Sequence, residues 1–133
     1  MSTTYNFGFK HCPLEVSVDM IGRKWALQIL RDLFMGRNRF SDFLEFNPGL
    51  SGKVLSTRLR ELQESGLVEK RVISVTPLRV EYGLSEKGIA LGDVLYQVAL
   101  YSIRYNTEQV YSRDYEEIER DVTGLRDVFK AST

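Results

Sequence analysis

The spacing of apolar residues predicts two helices near the start of the chain, after an arm formed by residues 1–11. Proline is favoured in the first turn of a helix, so Pro13 indicates a short first helix that ends at Gly22. A second helix is predicted over about residues 24–35, where apolar residues give a wide buried face, and Gly36 ends it.

A polar turn leads to a second pair of helices. Ser41 is the predicted N-cap of a short third helix, with Phe40 before it as an apolar staple. A turn signal at residues 47–49 separates it from a fourth helix, which Ser51 caps and residues 65–66 close. Within the fourth helix, three leucines at i, i+4 and i+7 form a single apolar stripe, namely Leu55, Leu59 and Leu62.

Extended structure is predicted after the fourth helix. Strands at residues 67–74 and 79–84 are separated by residues 75–78, which indicates a hairpin whose loop is longer than two residues. A fifth helix is expected over residues 86–105 and a last helix over residues 114–130.

The fifth predicted helix carries more apolar surface than one small core can cover. We expect a second subunit to cover the remainder. One stripe contains Leu91, Val94, Leu95, Val98, Tyr101 and Tyr105, whereas Ala90, Tyr96, Leu100 and Ile103 lie on its other sides.

This element order predicts a fold that is mainly α with a small β-hairpin. Three helices followed by a hairpin make a winged helix-turn-helix, with extra N- and C-terminal dimerisation helices. The 133 residues form one predicted domain, with a winged-helix core over about residues 12–90. Residues 1–22 and 86–133 are the expected dimerisation elements.

The free face of the fourth helix has the chemistry of a DNA-binding surface. Small residues let the backbone approach a groove, hydroxyls can bond base edges, and cations can reach guanine or phosphate. The predicted contacts on this helix are Ser51, Gly52, Lys53, Ser56, Thr57 and Arg60. Further contacts are expected from Arg79 in the hairpin, from Lys70 and Arg71 at its base, and from Arg37 and Arg39 in the preceding turn.

Two alternatives belong to other functional classes. The polar helix face and hairpin would also suit a winged-helix protein–protein interaction module that binds no DNA. An enzyme is not expected, because nucleophilic catalysis would have to use the sequence neighbours His11 and Cys12, and no glycine-rich phosphate loop is present. We predict no catalytic residues.

The overall charge limits how DNA is bound. The chain has 18 Lys and Arg against 18 Asp and Glu, a net charge of zero, which argues against a general nucleic-acid coat protein. The charge is uneven, because residues 1–71 hold 11 cations and 8 acids, whereas residues 72–133 hold 7 and 10. The positive half therefore contains the predicted DNA-facing helix.

The remaining composition points to an ordinary intracellular protein without cofactors. It is 43% hydrophobic and 27% charged. A single cysteine, Cys12, cannot form an intramolecular disulfide or a cysteine-based zinc site, and we predict no metal. The N-terminus lacks the apolar run of a signal peptide, and residues 88–103 are too short to span a bilayer, so a cytoplasmic location without membrane attachment is expected.

A set of short motifs, specific when taken together, carries a family resemblance: residues 12–15, 22–25, 27–33, 39–41, 50–55, 58–62, 66–68, 80–82 and 84–85. On these motifs the sequence resembles the HxlR-type transcriptional regulators, small winged-helix proteins of bacteria and archaea, over roughly residues 12–95. Gly52 departs from the pattern, since a bulkier polar residue is common there. The resemblance implies a homodimer that binds a double-stranded DNA operator with two half-sites; the effector stays unknown.

The resemblance also makes Cys12 a candidate redox sensor, since a cysteine at the matching place senses oxidants or electrophiles in some members. Its predicted position at a helix N-terminus, beside Lys10 and His11, suits a reactive thiol. The routes open to it are a disulfide with a second subunit, a mixed disulfide with a small thiol, or alkylation. The alternative is a small capping residue without a redox role.

Overall fold

The computed structural model describes residues 6–112 and 117–130 of the chain. Four helices lead into an antiparallel hairpin, and further helices follow it, so the predicted winged helix-turn-helix class is confirmed. None of the helices in these residues is long and apolar enough to cross a membrane. The elements are α1 (Pro13–Ile21), α2 (Ala26–Phe34), α3 (Phe40–Phe46), α4 (Gly52–Glu64), β1 (Val68–Val75), β2 (Leu78–Leu84), α5 (Glu86–Ile89), α6 (Gly92–Tyr105), α7 (Thr107–Val110) and α8 (Ile118–Lys130).

The leucine stripe of α4 enters the core as predicted. Leu55, Leu59 and Leu62 are each at most 1% exposed. Burying a leucine side chain contributes about 1.5 to 3 kcal/mol, so this stripe firmly fixes which face of α4 remains outside. The same core contains Ile29, Leu30, Phe43, Leu50, Leu67, Val68, Leu95, Tyr96, Leu100 and Phe129.

Both ends of α4 are closed by the local devices that the sequence indicated. The Ser51 hydroxyl accepts a hydrogen bond from the backbone N–H of Val54 at 3.1 Å. At the other end Gly66 has a φ of +77°. This left-handed glycine lets the N–H of Leu67 donate to the carbonyl of Leu62 at 2.9 Å, which satisfies a terminal carbonyl of the helix.

Two helix starts differ from the prediction. Ser41 does not cap α3, because the N-cap is Arg39, two residues before the predicted cap, and the Asp42 carboxylate accepts from the backbone N–H of Arg39 at 3.0 Å. A carboxylate is a stronger acceptor than a hydroxyl, and its charge suits a helix N-terminus. The helix α2 begins at Ala26 rather than at about residue 24, because Trp25 adopts a left-handed φ of 78°, which is not helical.

The hairpin is longer and its loop shorter than predicted. Val75 pairs with Leu78, which leaves a two-residue loop of Thr76 and Pro77, and the prediction of a longer loop is wrong. The base of the hairpin is tied to the segment before α3, because the backbone N–H of Tyr82 donates to the carbonyl of Asn38 at 2.8 Å. This bond fixes the hairpin against the helix-turn-helix.

The predicted fifth helix is divided in two. Residues 90 and 91 separate α5 from α6, so the expectation of one continuous helix is wrong. Both segments approach other backbone closely at a glycine. A Cβ at Gly88 would overlap the carbonyl oxygen of Leu67, and a Cβ at Gly92 would overlap that of Phe129. The two segments are therefore packed against different parts of the backbone, α5 against Leu67 and α6 against Phe129.

The buried side of α6 also differs from the predicted stripe. Leu95, Tyr96, Leu100 and Ile103 are buried, and α8 packs on α6 with Phe129 in the core. Residues before Glu117 in the predicted last helix lie outside the described residues, and the described helix begins at Ile118. The face left exposed carries Val94, Val98, Tyr101 and Tyr105.

Candidate nucleic-acid interface

The outward face of α4 presents polar and cationic groups as predicted. Lys53, Ser56 and Arg60 are exposed, and Thr57 is half-buried. The Thr57 hydroxyl donates to the carbonyl of Lys53 at 3.1 Å, which leaves its oxygen free to accept. Because the leucine stripe fixes the opposite face, these side chains point away from the core.

The N-terminal end of α4 carries small side chains, which leave room for the backbone of a nucleic acid to approach closely. The Ser51 oxygen caps the helix and its O–H remains a possible donor to a phosphate. A Cβ at Gly52 would lie 3.8 Å from the ring of Phe40, an ordinary contact. Internal packing therefore does not require glycine here.

The two cations on the outward face of α4 are weakly held by acids. Lys53 has no ion-pair partner within residues 6–112 and 117–130. Arg60 lies 3.9 Å from Glu64, and both side chains are more than 60% exposed (66% and 69%). An exposed pair of this kind contributes little, so Arg60 can exchange Glu64 for a phosphate at small cost.

The turn before α3 and the hairpin together form a cleft. Arg39 and Arg79 line it with Ser41, and its volume is about 460 Å³. Phe40 also lines the cleft and lies next to Gly52, so the cleft adjoins the start of α4. The structure thus brings together cations from segments 40 residues apart in sequence, together with the hydroxyl of Ser41.

Ser41 is a candidate contact that the sequence analysis assigned to a different role. Because Asp42 caps α3, the Ser41 side chain is exposed and makes no hydrogen bond within the described part of the chain. The sequence signal for this arrangement is Asp42, an acidic residue three positions after Arg39, because that is the spacing of a capping box.

The two cations at the hairpin base differ. Lys70 is exposed and has no acidic partner among the residues that the structure describes. Arg71 is paired with Glu69 at 3.2 Å, and its guanidinium covers Gly83 so closely that an added Cβ would lie 3.1 Å from it. Lys70 is therefore the more available of the two.

Arg37 has a structural environment that the other predicted contacts lack. Its Nη1 lies 3.0 Å from Oδ1 of the fully buried Asp32, and its guanidinium is 3.7 Å from the ring centre of Phe46. Asp32 also accepts from Arg31 at 2.9 Å and from the amide of Asn47 at 2.7 Å. These contacts give Arg37 a role in holding the helix-turn-helix together.

A second arginine, Arg58, also uses its side chain for contacts within the protein. The Nε of Arg58 donates to the carbonyl of Lys24 at 2.8 Å, and its Nη1 lies 3.4 Å from Glu61. Arg23 pairs with the same carboxylate at 2.9 Å. Arg58 and Glu61 therefore join α4 to the segment before α2.

The hairpin lies against α3 through an aromatic pair. The ring of Tyr82 meets that of Phe43 edge-on, with 6.2 Å between centres. Burial raises the pKa of Tyr82 above its ordinary 10.0. The phenol therefore stays neutral near physiological pH and adds no negative charge beside the cationic cleft.

Cys12 lies apart from these groups, at the N-cap of α1. Its side chain makes no capping hydrogen bond, and it is an exposed free cysteine. Within the described residues there is no group of three or more His, Cys, Asp or Glu arranged to hold a metal ion. The sulfur is accessible to reagents in solution.

Comparison with known proteins identifies the family. A model of the HxlR-like helix-turn-helix matches residues 20–110. The chain belongs to the HxlR family of helix-turn-helix proteins. Over 95 residues it is 40% identical to the uncharacterised HTH-type transcriptional regulator YvaP of Bacillus subtilis, an alignment that covers 71% of this chain and 88% of that one.

Two solved structures of redox-related regulators are similar to this HxlR-family chain. The oxidised form of the redox regulator HypR superposes with a TM-score of 0.65 and 30% identity, and covers 78% of this chain and 100% of that one. The reduced form of the B. subtilis transcriptional regulator YodB gives a TM-score of 0.61 and 32% identity, with 71% and 94% covered. These relatives are regulators and not enzymes.

The HxlR match covers the predicted DNA-facing residues but not the whole chain. It includes the turn before α3, α4 and the hairpin, and it ends at the end of α7. Cys12, most of α1 and α8 lie outside it. The family assignment makes the chain an HTH-type transcriptional regulator. The functions of the segments outside the match have to be argued from the contacts that those segments make.

The different environments of Arg37 and Arg39 predict different effects of the same substitution. Arg37→Ala should lower the free energy of unfolding by about 1.5 to 3 kcal/mol, because buried Asp32 loses a charged hydrogen-bond partner. Arg39→Ala is the matched control at an exposed site and should change it by less than about 0.5 kcal/mol. Urea unfolding measures both, and equal effects would contradict the assignment of Arg37.

Proposed function

We propose that this protein is a dimeric, sequence-specific DNA-binding transcriptional regulator whose operator contains two half-sites. The observation that carries the proposal is the rigid α4, whose core face is fixed by three buried leucines and whose polar face is free. In this arrangement α4 lies in the major groove, and the cleft beside Phe40 meets the adjoining backbone.

The contacts divide into two classes. Ser56 and Thr57 lie in the middle of the outward α4 face and read base edges. The Ser56 hydroxyl can donate and accept, whereas that of Thr57 accepts, because it already donates to Lys53. Ser51 and the backbone at Gly52 approach a phosphate at the helix N-terminus. The remaining cations bind the DNA backbone: Lys53, Arg60, Arg39, Arg79, Lys70 and Arg71.

The exposed stripe of α6 supports the dimer. Val94, Val98, Tyr101 and Tyr105 recur every three or four residues and are 42%, 51%, 62% and 74% exposed. The Tyr101 and Tyr105 rings lie 5.2 Å apart and extend the apolar surface to the end of the helix. A contiguous apolar stripe on a soluble domain marks an interface. A second copy, with residues 1–22 and 86–133 contributing, gives two-fold-related α4 helices for two half-sites.

The exposed thiol supports a redox response. Cys12 is free at the N-cap of α1, and two structurally similar proteins carry redox-related descriptions, the redox regulator HypR and YodB, which has also been solved after diamide treatment. Because each chain has one cysteine, a disulfide must join Cys12 to a second subunit or to a small thiol. Two thiols then lose two electrons and two protons to the oxidant as the S–S bond forms.

The DNA-binding proposal predicts a change in salt dependence. The probe is labelled DNA from upstream of the chain's own coding sequence, titrated by fluorescence anisotropy between about 50 and 200 mM salt. Lys53→Ala should reduce the salt slope by about one unit, because it removes one phosphate contact. Arg126→Ala, an exposed cation on α8, is the matched control and should leave the slope unchanged.

A second variant set separates base reading from general attraction. Replacing Ser56 and Thr57 by alanine should weaken binding to the operator more than binding to random DNA. The proposal fails if the triple variant Ser56→Ala, Thr57→Ala, Arg60→Ala binds like wild type, or if no DNA binds at low salt. The latter result would favour a winged-helix module that binds proteins.

The dimer proposal predicts a loss of association when charge enters the α6 stripe. Val98→Glu should shift the protein from dimer to monomer, because an unpaired carboxylate would be buried at the interface. Val75→Glu makes the same chemical change at a more exposed valine in the hairpin and should leave the dimer intact. Sedimentation velocity measures both, and a monomeric wild type would overturn the proposal.

The redox proposal predicts that oxidation changes operator affinity only when Cys12 is present. Diamide treatment should alter wild-type affinity by about tenfold or more, a change of about 1.4 kcal/mol in binding free energy. Cys12→Ser, which keeps a small polar side chain, should not respond. Mass spectrometry under non-reducing conditions identifies the disulfide, and an unchanged wild-type affinity after complete oxidation would rule out the switch.

A further inference from the structure

A cavity lies between the end of α2, α6 and α8. Its volume is about 680 Å³. Sites for small organic ligands commonly have volumes of about 300 to 1,000 Å³ and mostly apolar walls. Here the walls are largely aliphatic and aromatic, and they include Met35, Ile103, Leu125, Val128 and Phe129.

One polar group in the wall is tied to the interior of the protein. Arg31 lines the cavity, and its Nε and Nη2 donate to Oδ1 of Asp32 at 3.1 and 2.9 Å. Nη2 also donates to the side-chain oxygen of Asn47 at 2.9 Å. Nη1 makes no hydrogen bond to any residue that the structure describes, although the Arg31 side chain is only 37% exposed. Two N–H donors therefore remain available.

The charges around Arg31 do not cancel. Arg31 and Arg37 both pair with the single carboxylate of Asp32, and Asn47 is neutral, so this cluster carries one excess positive charge. Arg37 is covered by Phe46, whereas Arg31 borders the cavity. Arg120 and Asp121 also line the cavity, and their side chains form an ion pair at 3.7 Å, so the acid in the wall has a cation beside it. The excess positive charge that an entering anion meets is therefore that at Arg31.

We propose that this cavity binds a small monocarboxylic acid with an apolar body. The carboxylate accepts hydrogen bonds from Nη1 of Arg31, and the body packs against Phe129, Val128 and Ile103. Charge complementarity selects an acid over a base or a neutral molecule, because the site offers guanidinium donors at one end of an apolar space. This site is additional to DNA binding and does not depend on it.

The arginine also connects the cavity to the polar face of α4. Asn47, which accepts from Nη2 of Arg31, donates to the carbonyl of Phe43 at 2.8 Å, and its own backbone carbonyl accepts from Leu50. Leu50 immediately precedes the cap of α4. An anion bound to Nη1 of Arg31 is therefore linked through Arg31 and Asn47 to the turn before α4.

The binding test uses 3-phenylpropionate as the acid probe and 3-phenylpropanol as its uncharged counterpart. Isothermal titration of the full chain without DNA should show saturable binding of one acid per chain. The alcohol should bind at least about tenfold more weakly, or about 1.4 kcal/mol. Absence of saturable acid binding at millimolar concentration, or equal affinity for acid and alcohol, overturns the proposal.

Variants locate the site. Gly124 lines the cavity from α8, and a Cβ there would have no atom within 4 Å, so Gly124→Leu is accommodated by the fold. It should weaken acid binding at least about tenfold by occupying the cavity. Thr123→Leu, at the exposed neighbouring position outside the cavity, is the control and should bind like wild type. Equal binding by both variants would place the acid elsewhere.

Arg31→Gln tests the charge, since it should abolish the preference for acid over alcohol while the cavity remains. If this variant does not fold, an NMR spectrum of wild-type protein gives the same information. The Asn47 side-chain amide signal should shift with the acid and not with the alcohol, because Asn47 bonds Arg31 directly. An unmoved Asn47 signal at acid saturation contradicts contact with Arg31. Both readouts omit DNA, so their failure is distinct from failure of the regulator proposal.

Discussion

The arrangement of the helix-turn-helix depends on one buried carboxylate. Asp32 is completely buried in α2 and accepts from Arg31, Arg37 and Asn47 at 2.9, 3.0 and 2.7 Å. An isolated carboxylate there would be costly, and several charge-assisted hydrogen bonds offset that cost. The partners come from α2, from the turn that follows it and from the end of α3. A single side chain therefore fixes two helices and the turn into α4.

The consequences reach the polar face of α4 through Asn47. Its side-chain amide donates to the carbonyl of Phe43 in the last turn of α3, and its backbone carbonyl accepts from the N–H of Leu50. The next residue, Ser51, caps α4. At the opposite side of α4, Arg58 and Glu61 attach the helix to the segment before α2. Because α4 is held by polar networks as well as by its leucine stripe, its polar face is presented in one orientation. Such preorganisation reduces the entropy that binding must overcome.

Features that rest on neighbouring residues were predictable from the sequence. The leucine stripe, the Ser51 cap and the Gly66 stop of α4 each need only a few adjacent positions. The break after α5 was not predictable in this way, since it depends on backbone of Leu67 and Phe129 approaching Gly88 and Gly92.

The same distinction applies to individual side chains. Which apolar face of α6 is buried was not predictable, because the position of α8 decides which side is covered. The charge of Arg37 was visible in the sequence, but its environment was not, because Asp32 and Phe46 reach it only in the folded chain. The nearness of Arg39 to Arg79 likewise follows from the hairpin folding against α3.

Counting charges therefore overestimates the electrostatic attraction available for DNA. Four arginines of the positive half are held by only two acids: Arg31 and Arg37 by Asp32, and Arg23 and Arg58 by Glu61. Each acid bridges two cations and joins two segments, so this positive charge stabilises the fold. The cations left to face DNA are few, and the net charge of the chain is zero. Since non-specific affinity grows with the number of neutralised phosphates, a protein with this charge distribution gains little from overall electrostatic attraction and depends more on the shape of its binding surface.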